Sequence, residues 1–170
     1  MEEEFSWHID DRGDGTFILV MHGTLNEDVN TKPILEALGS VQYEMKLLRI
    51  DTRGVNQINS CGVREWILLM EKMQFITSCH FSSLSHAFVE QANTVANMIG
   101  KPPVAVDFFE APYYCKVCDT QSQHLLSKSD LKKMGPLYTA PAFKCERCKA
   151  DLEIDFFEDE YFTFLKKLPG

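Results

Sequence analysis

Four cysteines near the C-terminus constrain the fold of this chain more than any other feature of its sequence. They form two C-x2-C pairs, Cys115 with Cys118 and Cys145 with Cys148. Each pair can present two thiolates from one tight turn, and two such turns facing each other supply the four soft ligands of a tetrahedral zinc ion. The 26 residues between the pairs exceed the usual zinc-finger spacing, so the sequence predicts two knuckles separated by an inserted segment.

The ligand set also indicates what kind of centre this would be. Four cysteines complete a tetrahedral coordination sphere and leave no open position, so a zinc ion held by them would be structural rather than catalytic. Iron in a rubredoxin-like site is an alternative, because four-thiolate geometry does not exclude it. Two other interpretations need no metal: reduced or disulfide-bonded structural cysteines, and a redox-active C-x-x-C pair.

Charge and composition limit the classes of function that we expect of this chain. The 170 residues are 45% hydrophobic and 25% charged, which is typical of a globular chain with one ordinary domain and a small appendage. The net charge is −8; residues 1–110 hold 8 basic and 16 acidic side chains, and residues 111–170 hold 9 of each. Neither region has the positive excess that neutralises phosphates, so we expect no nucleic-acid binding.

The N-terminus and the hydrophobic runs bear on localisation. No apolar run approaches the length of a membrane helix, and Met1-Glu2-Glu3-Glu4 is unlike the basic start of a signal peptide. We therefore expect a cytoplasmic protein without membrane insertion. Thiols stay reduced in that compartment, where C-x-x-C pairs serve metals or redox chemistry.

Hydrophobic periodicity predicts a mixed α/β fold. Apolar runs and alternation predict strands at residues 5–9, 16–21, 47–51, 75–81 and 104–109. Helical spacing and capping residues predict helices at residues 31–38, 61–75 and 85–99, with a polar loop over residues 52–60. The order β-β-α-β-α-β-α-β implies one mixed sheet with packed helices over residues 1–110, followed by a metal module over residues 111–170.

Two segments of the metal module carry further predictions. Residues 127–134 are predicted to form a short helix that Gly135-Pro136 ends. The C-terminal segment is rich in large apolar side chains that we expect to be buried, either against the chain itself or in a homodimer. These residues are Phe156, Phe157, Tyr161, Phe162, Phe164 and Leu165.

The segment from Ile50 to Val63, with the sequence IDTRGVNQINSCGV, resembles the signature of STAS domains, a family that includes bacterial anti-sigma factor antagonists. Members carry an aspartate-ending strand, a glycine-valine loop and Asp-Ser-Ser-Gly or a variant at the start of a helix. Residues 23–27, GTLNE, are similar to the family's Gly-x-Leu-Asp element. The resemblance covers about residues 5–110, so the chain resembles a STAS domain fused to a four-cysteine zinc-ribbon-like module.

The resemblance implies a surface that binds a partner, an anti-sigma factor or a related kinase-like protein. The family's second serine, which accepts phosphate, falls on Cys61, and a thiol is not a normal substrate for such a kinase. The resemblance therefore implies either constitutive binding or phosphorylation at Ser60 instead. The predicted partner-binding residues are Asn59, Ser60, Cys61, Gly62, Arg64 and Glu65.

The same residues have simpler structural roles. Ser60, or Asn59 beside it, is predicted to cap the helix that follows by accepting a backbone N–H. Cys61 could be a reactive thiol at a helix N-terminus, although a cysteine beside glycine more often fits a crowded turn.

Together these features favour a non-enzymatic regulatory module that binds another protein. One alternative is a structural adaptor subunit of a larger signalling or transport complex. Another is a metal- or thiol-dependent enzyme that uses the C-x-x-C pairs or Cys61.

Overall fold

The computed structural model describes residues 3–101 and 103–169. The strands, in chain order, are β1 (Ser6–Asp11), β2 (Thr16–Leu25), β3 (Leu47–Ile58), β4 (Cys79–Leu84), β5 (Ala105–Cys115), β6 (Thr120–Leu126), β7 (Lys132–Met134), β8 (Leu137–Thr139) and β9 (Glu153–Ile154). The α-helices are α1 (Lys32–Ser40), α2 (Ser60–Lys72), α3 (His86–Thr94) and α4 (Glu158–Tyr161).

A seven-stranded mixed sheet forms the centre of the fold. Its order is β1-β2-β3-β4-β5-β6, and β9 also pairs with β5. Neighbours from β2 to β5 are parallel, whereas β1, β6 and β9 pair antiparallel with their neighbours. The mixed α/β class and the predicted order of the first eight elements are confirmed. The STAS-like identity of this sheet stays a prediction.

The helical periodicity of residues 61–75 corresponds to one face of α2 that packs into the core. Trp66 is fully buried, and its ring meets Phe88 of α3 edge-on at 5.0 Å between centroids. The indole N–H donates to the carbonyl of Met98 at 2.8 Å, so the polar end of the buried ring is satisfied. Burial of an aromatic side chain of this size contributes about 1.5–3 kcal/mol.

Several element boundaries differ from the sequence predictions, including the strand predicted over residues 75–81, which is β4 at Cys79–Leu84. The loop predicted over residues 52–60 is wrong, because β3 continues to Ile58 and pairs with β2 as far as Leu25. Backbone pairing satisfies N–H and C=O groups whatever the side chains are, so a polar sequence can extend a parallel strand. Helix α3 ends at Thr94 rather than at residue 99, and Asn97 takes a left-handed φ of 64° that no helix continues through.

The predicted helix over residues 127–134 is also wrong. A capping box starts at Ser127, but it opens only a single turn over Lys128–Asp130. The buried Leu131 then leads into β7, which forms a two-stranded hairpin with β8. The two-residue connection has Gly135 at a φ of 63°, which the turns that favour hairpins require at their first central position.

The sheet runs through the boundary predicted between residues 110 and 111. Strand β5 crosses it, and β6 and β9, both from the C-terminal region, pair with β5. Residues from both sides of this boundary therefore share the backbone hydrogen bonds of one sheet. Whether residues 1–110 and 111–170 act as separate domains stays a prediction.

The aromatic C-terminal segment packs on this chain, mostly as predicted. Tyr161, Phe162, Phe164 and Leu165 are buried, and Phe164 meets Phe109 of β5 edge-on at 5.2 Å between ring centroids.

Phe156 and Phe157 differ from those four residues. Phe156 is half-buried against the core. Phe157 is not buried against this chain, since its side chain is 77% exposed, and its burial in a homodimer stays a prediction. Within the described residues, no helix combines the length and the apolar character needed to cross a membrane.

Candidate metal centre and helix-terminal loop

The four cysteines converge on one point. Their Sγ atoms all lie within 4.8 Å of one another. Two contacts join the pairs to each other: the Sγ atom of Cys115 lies 3.5 Å from that of Cys148, and the Sγ atom of Cys118 lies 3.9 Å from that of Cys145. The C-x-x-C spacing therefore predicted residues that the fold does bring together.

These distances fit a tetrahedral metal ion. With zinc–sulfur bonds of about 2.3 Å, the thiolates of a tetrahedral site lie about 3.8 Å apart. The two separations of 3.5 and 3.9 Å lie on either side of that value. All four sulfurs point to the same space, and soft thiolates suit zinc or iron. The four cysteines are positioned to hold a metal ion.

The first knuckle lies at the end of the long central strand β5. Cys115 is the last residue of β5 and pairs with Thr120, the first residue of β6, across the connecting turn. Asp119, directly after Cys118, has a left-handed φ of 52° that lets the chain reverse over so few residues. The strand pairing therefore fixes the direction of the first two thiols.

The second knuckle is a similar tight turn, but it does not lie at the end of a long strand. Its backbone is pinned by two hydrogen bonds, from Cys145 N–H to Ala150 at 2.8 Å and from Lys149 N–H to Cys145 at 2.9 Å. Lys149 directly follows Cys148 and has a φ of 63°, the counterpart of Asp119 in the first knuckle. Two similar turns thus face each other, which the sequence indicated only by its spacing.

Two of the four thiols have pKa values shifted in opposite directions. Backbone N–H groups of Cys148 and Arg147 donate to Cys145 and lower its pKa to about 6. Hydrogen bonding with Cys148 raises the pKa of Cys118 to about 12. Four neighbouring sulfurs cannot all carry charge without a counterion, whereas a cation among them would favour the thiolate at every position.

The predicted partner loop lies at the start of α2, far along the chain from the cysteines. Asn59 is the N-cap residue, and its Oδ1 accepts the N–H of Gly62 at 2.9 Å. Its Nδ2 donates to Glu27 at 2.8 Å, a contact between the two segments that carry the family resemblance. Asn59 and Ser60 are exposed, and Ser60 begins the helix instead of capping it.

The other predicted partner residues divide between surface and interior. Arg64 is exposed and forms an ion pair with Glu65 at 3.1 Å. Glu65 and Cys61 are half-buried. Gly62 is buried, and a Cβ at this position would overlap the carbonyl oxygen of Leu25. Gly62 therefore sets how closely α2 approaches β2 and offers a partner little surface.

A polar cluster at the start of α3 has no counterpart in the sequence analysis. Glu110 of β5 accepts the backbone N–H of His86 at 3.3 Å, and burial raises the pKa of its carboxyl group. Arg53 and Asp51 of β3 face it and are themselves joined by an ion pair at 2.6 Å.

Tyr161 completes this cluster from the C-terminal segment. Its hydroxyl donates to the Glu110 carbonyl at 2.6 Å and lies 2.8 Å from Nδ1 of His86. No spacing rule links residues so far apart in the sequence, and only long-range packing brings them together.

Comparison of the chain with protein-family models, with curated proteins and with solved structures finds no match.

Proposed function

We propose that this chain is a non-enzymatic regulatory module of bacterial signalling that binds another protein, similar to an anti-sigma factor antagonist and stiffened by a structural zinc ion. Its partner would be an anti-sigma factor or a related kinase-like protein. The observation that carries the proposal is the exposed and well-anchored start of α2, where the family resemblance lies.

The geometry of that helix start suits a recognition surface. Asn59 is fixed on both sides, because its side chain bonds to Gly62 and Glu27 and its backbone N–H donates to Leu25 at 3.0 Å. The exposed Ser60 next to it is thus presented on a rigid scaffold. A rigid loop loses little conformational entropy when a partner binds, which favours affinity.

The same location explains how a phosphate could act there. The N-terminus of a helix offers unpaired N–H donors and the positive end of the helix dipole, so α2 would tolerate an added anion at Ser60. A phosphate would add about −1.5 to −2 charges to the contact surface and repel an acidic partner. Because Cys61 stands at the family's acceptor position, we expect constitutive binding instead of a phosphate switch.

The metal has a mechanical role in this proposal. Cys115 and Cys118 would hold zinc from the β5–β6 turn, and Cys145 and Cys148 would hold it from the second knuckle. When bound, the ion cross-links these two turns, and it accepts no substrate because four protein ligands fill its coordination sphere.

Partner capture tests the proposal. The full chain is immobilised, native lysate from the source organism is passed over it, and retained proteins are identified by mass spectrometry. We expect a kinase-like anti-sigma factor, and Ser60→Glu and Cys61→Glu should each reduce its retention at least about tenfold, as expected for charges placed in a contact surface.

Tyr43→Asp supplies the matched control, because Tyr43 is 95% exposed and lies outside the partner loop. It should retain the partner as the unmodified chain does. If both loop variants fold and capture the same protein undiminished, the binding surface is elsewhere. Capture of transport or scaffold subunits only would favour the adaptor alternative.

A further inference from the structure

An exposed apolar patch lies on the inserted hairpin and the segment before α4. Its three apolar members are Met134 of β7, Leu137 of β8 and Phe157, which are 69%, 47% and 77% exposed. Exposed apolar side chains scattered singly are ordinary, but a contiguous group of large ones marks a contact surface.

The three side chains form one continuous surface. Met134 and Leu137 are direct cross-strand partners in the hairpin, so their side chains project from the same face. Leu137 and Phe157 line the same shallow depression, together with Ile154 and Phe156. We call the surface formed by Lys132, Met134, Leu137, Phe157 and Asp159 the hairpin patch.

Charge changes sign across the hairpin patch. Lys132 lies two residues before Met134 in β7 and is therefore on the same face of the hairpin. On the opposite side, α4 packs against β8, and its first residue, Glu158, accepts the N–H of Ala140, the residue after β8, at 2.6 Å. The exposed Asp159 follows and lines the depression. The surface thus runs from basic β7, through an apolar centre, to acidic α4.

These two charges have no partners within the described part of the chain. Neither Lys132 nor Asp159 forms an ion pair there, although other exposed lysines of the same region do, such as Lys116 with Glu153 at 2.7 Å. Phe157 makes no stacking or edge contact with another described ring, whereas neighbouring Phe156 stacks on Tyr161 at 4.1 Å. The hairpin patch therefore contributes little to the stability of a single chain.

We propose that the hairpin patch binds a second copy of this chain across a two-fold axis. An isologous interface places a surface against itself, so it requires a patch that is complementary to its own rotated image. Rotation by a half turn about the apolar centre brings Lys132 of one copy opposite Asp159 of the other, twice. The apolar residues meet in the middle, with Phe157 as the aromatic anchor that such interfaces favour.

Pairing of the two hairpins edge to edge fits the surface less well. Joining β7 of one copy to β7 of another would bring Lys132 and Lys133 of both copies together, and facing like charges are destabilising. The same contact would leave Phe157 and Asp159 uncovered. The face of the hairpin, rather than its edge, is the surface that a second copy covers.

Sedimentation velocity of the full chain tests the proposal over roughly 1–100 μM, a range in which moderate dimers dissociate. We expect a reversible monomer–dimer equilibrium. Phe157→Asp should weaken it at least about tenfold, the effect of losing a central anchor. Tyr43→Asp places the same charge at a remote exposed aromatic and should leave the equilibrium unchanged.

A charge exchange tests the two-fold arrangement itself. Lys132→Asp and Asp159→Lys should each weaken self-association severalfold, because in a dimer of either variant the residues at positions 132 and 159 of opposite copies carry the same charge. An equimolar mixture should form mixed dimers at close to the original affinity, since every contact then joins opposite charges. A chain that stays monomeric throughout this range overturns the proposal. So do dimers that Phe157→Asp leaves intact, or a mixture that associates no better than its components.

Discussion

The Sγ atoms of Cys115 and Cys148 lie 3.5 Å apart, although the two residues are 33 positions apart in the chain. Cys118 and Cys145 make the equivalent cross-contact at 3.9 Å. Each thiol thus contacts a thiol of the other pair, and all four Sγ atoms lie within 4.8 Å of one another, which is the arrangement of one shared centre. The contact joins the end of the central strand β5 to a segment that has little regular structure of its own. A metal there would cross-link that segment to the central sheet.

The first prediction concerns metal content. Protein purified without added metal should contain about one zinc ion per chain by elemental analysis, and Cys145→Ser should lower that content well below one. Loss of one of four ligands opens the site, and metal binding at such centres is coupled to folding. Limited proteolysis of the variant should cut residues 119–150 first, while β1 to β4 stay resistant.

Cys61→Ser is the control for this experiment, because Cys61 lies outside the cluster and should leave the zinc content unchanged. One iron per chain in place of zinc would keep the four-cysteine site and change only the metal. Protein that contains neither metal and still resists proteolysis over residues 111–169 would contradict the prediction.

The second prediction concerns the attachment of the C-terminal segment. Tyr161→Phe should lower the free energy of unfolding by about 1–3 kcal/mol, because it removes the hydroxyl that donates to the Glu110 carbonyl and contacts His86. Urea denaturation measures the change. Tyr43→Phe removes the same atom from a side chain that is 95% exposed, and it should change stability by less than about 0.5 kcal/mol. Equal effects of the two substitutions would contradict the assignment.

The third prediction is a pH dependence at Glu110. Burial holds the pKa of this carboxyl group above its ordinary value of 4.5, and hydrogen bonding from His86 and the charge of Arg53 only partly oppose that shift. The folded chain therefore binds this proton more tightly than the unfolded chain does. The resulting stability is fully present below pH 4.5 and is lost as the pH rises through the folded-state pKa.

Glu110→Gln isolates this effect because glutamine is neutral throughout. The unfolding free energy of the variant, relative to that of the unmodified chain, should rise as the pH increases from 4.5 towards neutrality. Taking the difference between the two proteins cancels, to first order, the contributions of the other groups. A difference that is constant with pH, or that falls, would contradict the raised pKa.

The central sheet could be predicted from sequence because its strands are apolar and its helices amphipathic. The polar strand β6 could not, since its residues Thr120 to His124 alternate only weakly in hydrophobicity and lie at the sheet edge. The sequence predicted a helix over residues 127–134, where the structure has only a capping box at Ser127. That motif orders a single turn, and the burial of Leu131 then determined the direction of the chain.

Of the candidate sites, the cysteine cluster could be predicted from the sequence and the polar cluster could not. The cysteine spacing identified all four converging thiols, because two C-x-x-C turns have few other uses in one short region. The polar cluster around Glu110 corresponds to no local pattern in the sequence. Tyr161 and His86 reach it from positions 75 residues apart, and only long-range packing brings them together.

The last prediction uses two glycines in helices. Ala is normally the better helix former by up to about 1 kcal/mol, so Gly39→Ala in α1, where the added Cβ meets no atom within 4 Å, should stabilise the chain. Gly62→Ala in α2 should do the opposite and cost about 1–3 kcal/mol, because its Cβ would overlap the backbone of Leu25 and push α2 from β2. Thermal and urea unfolding of both variants measure the two signs. If Gly62→Ala stabilised the chain as Gly39→Ala does, the helix would not pack this closely on β2, and the rigid presentation of Ser60 would lose its structural basis.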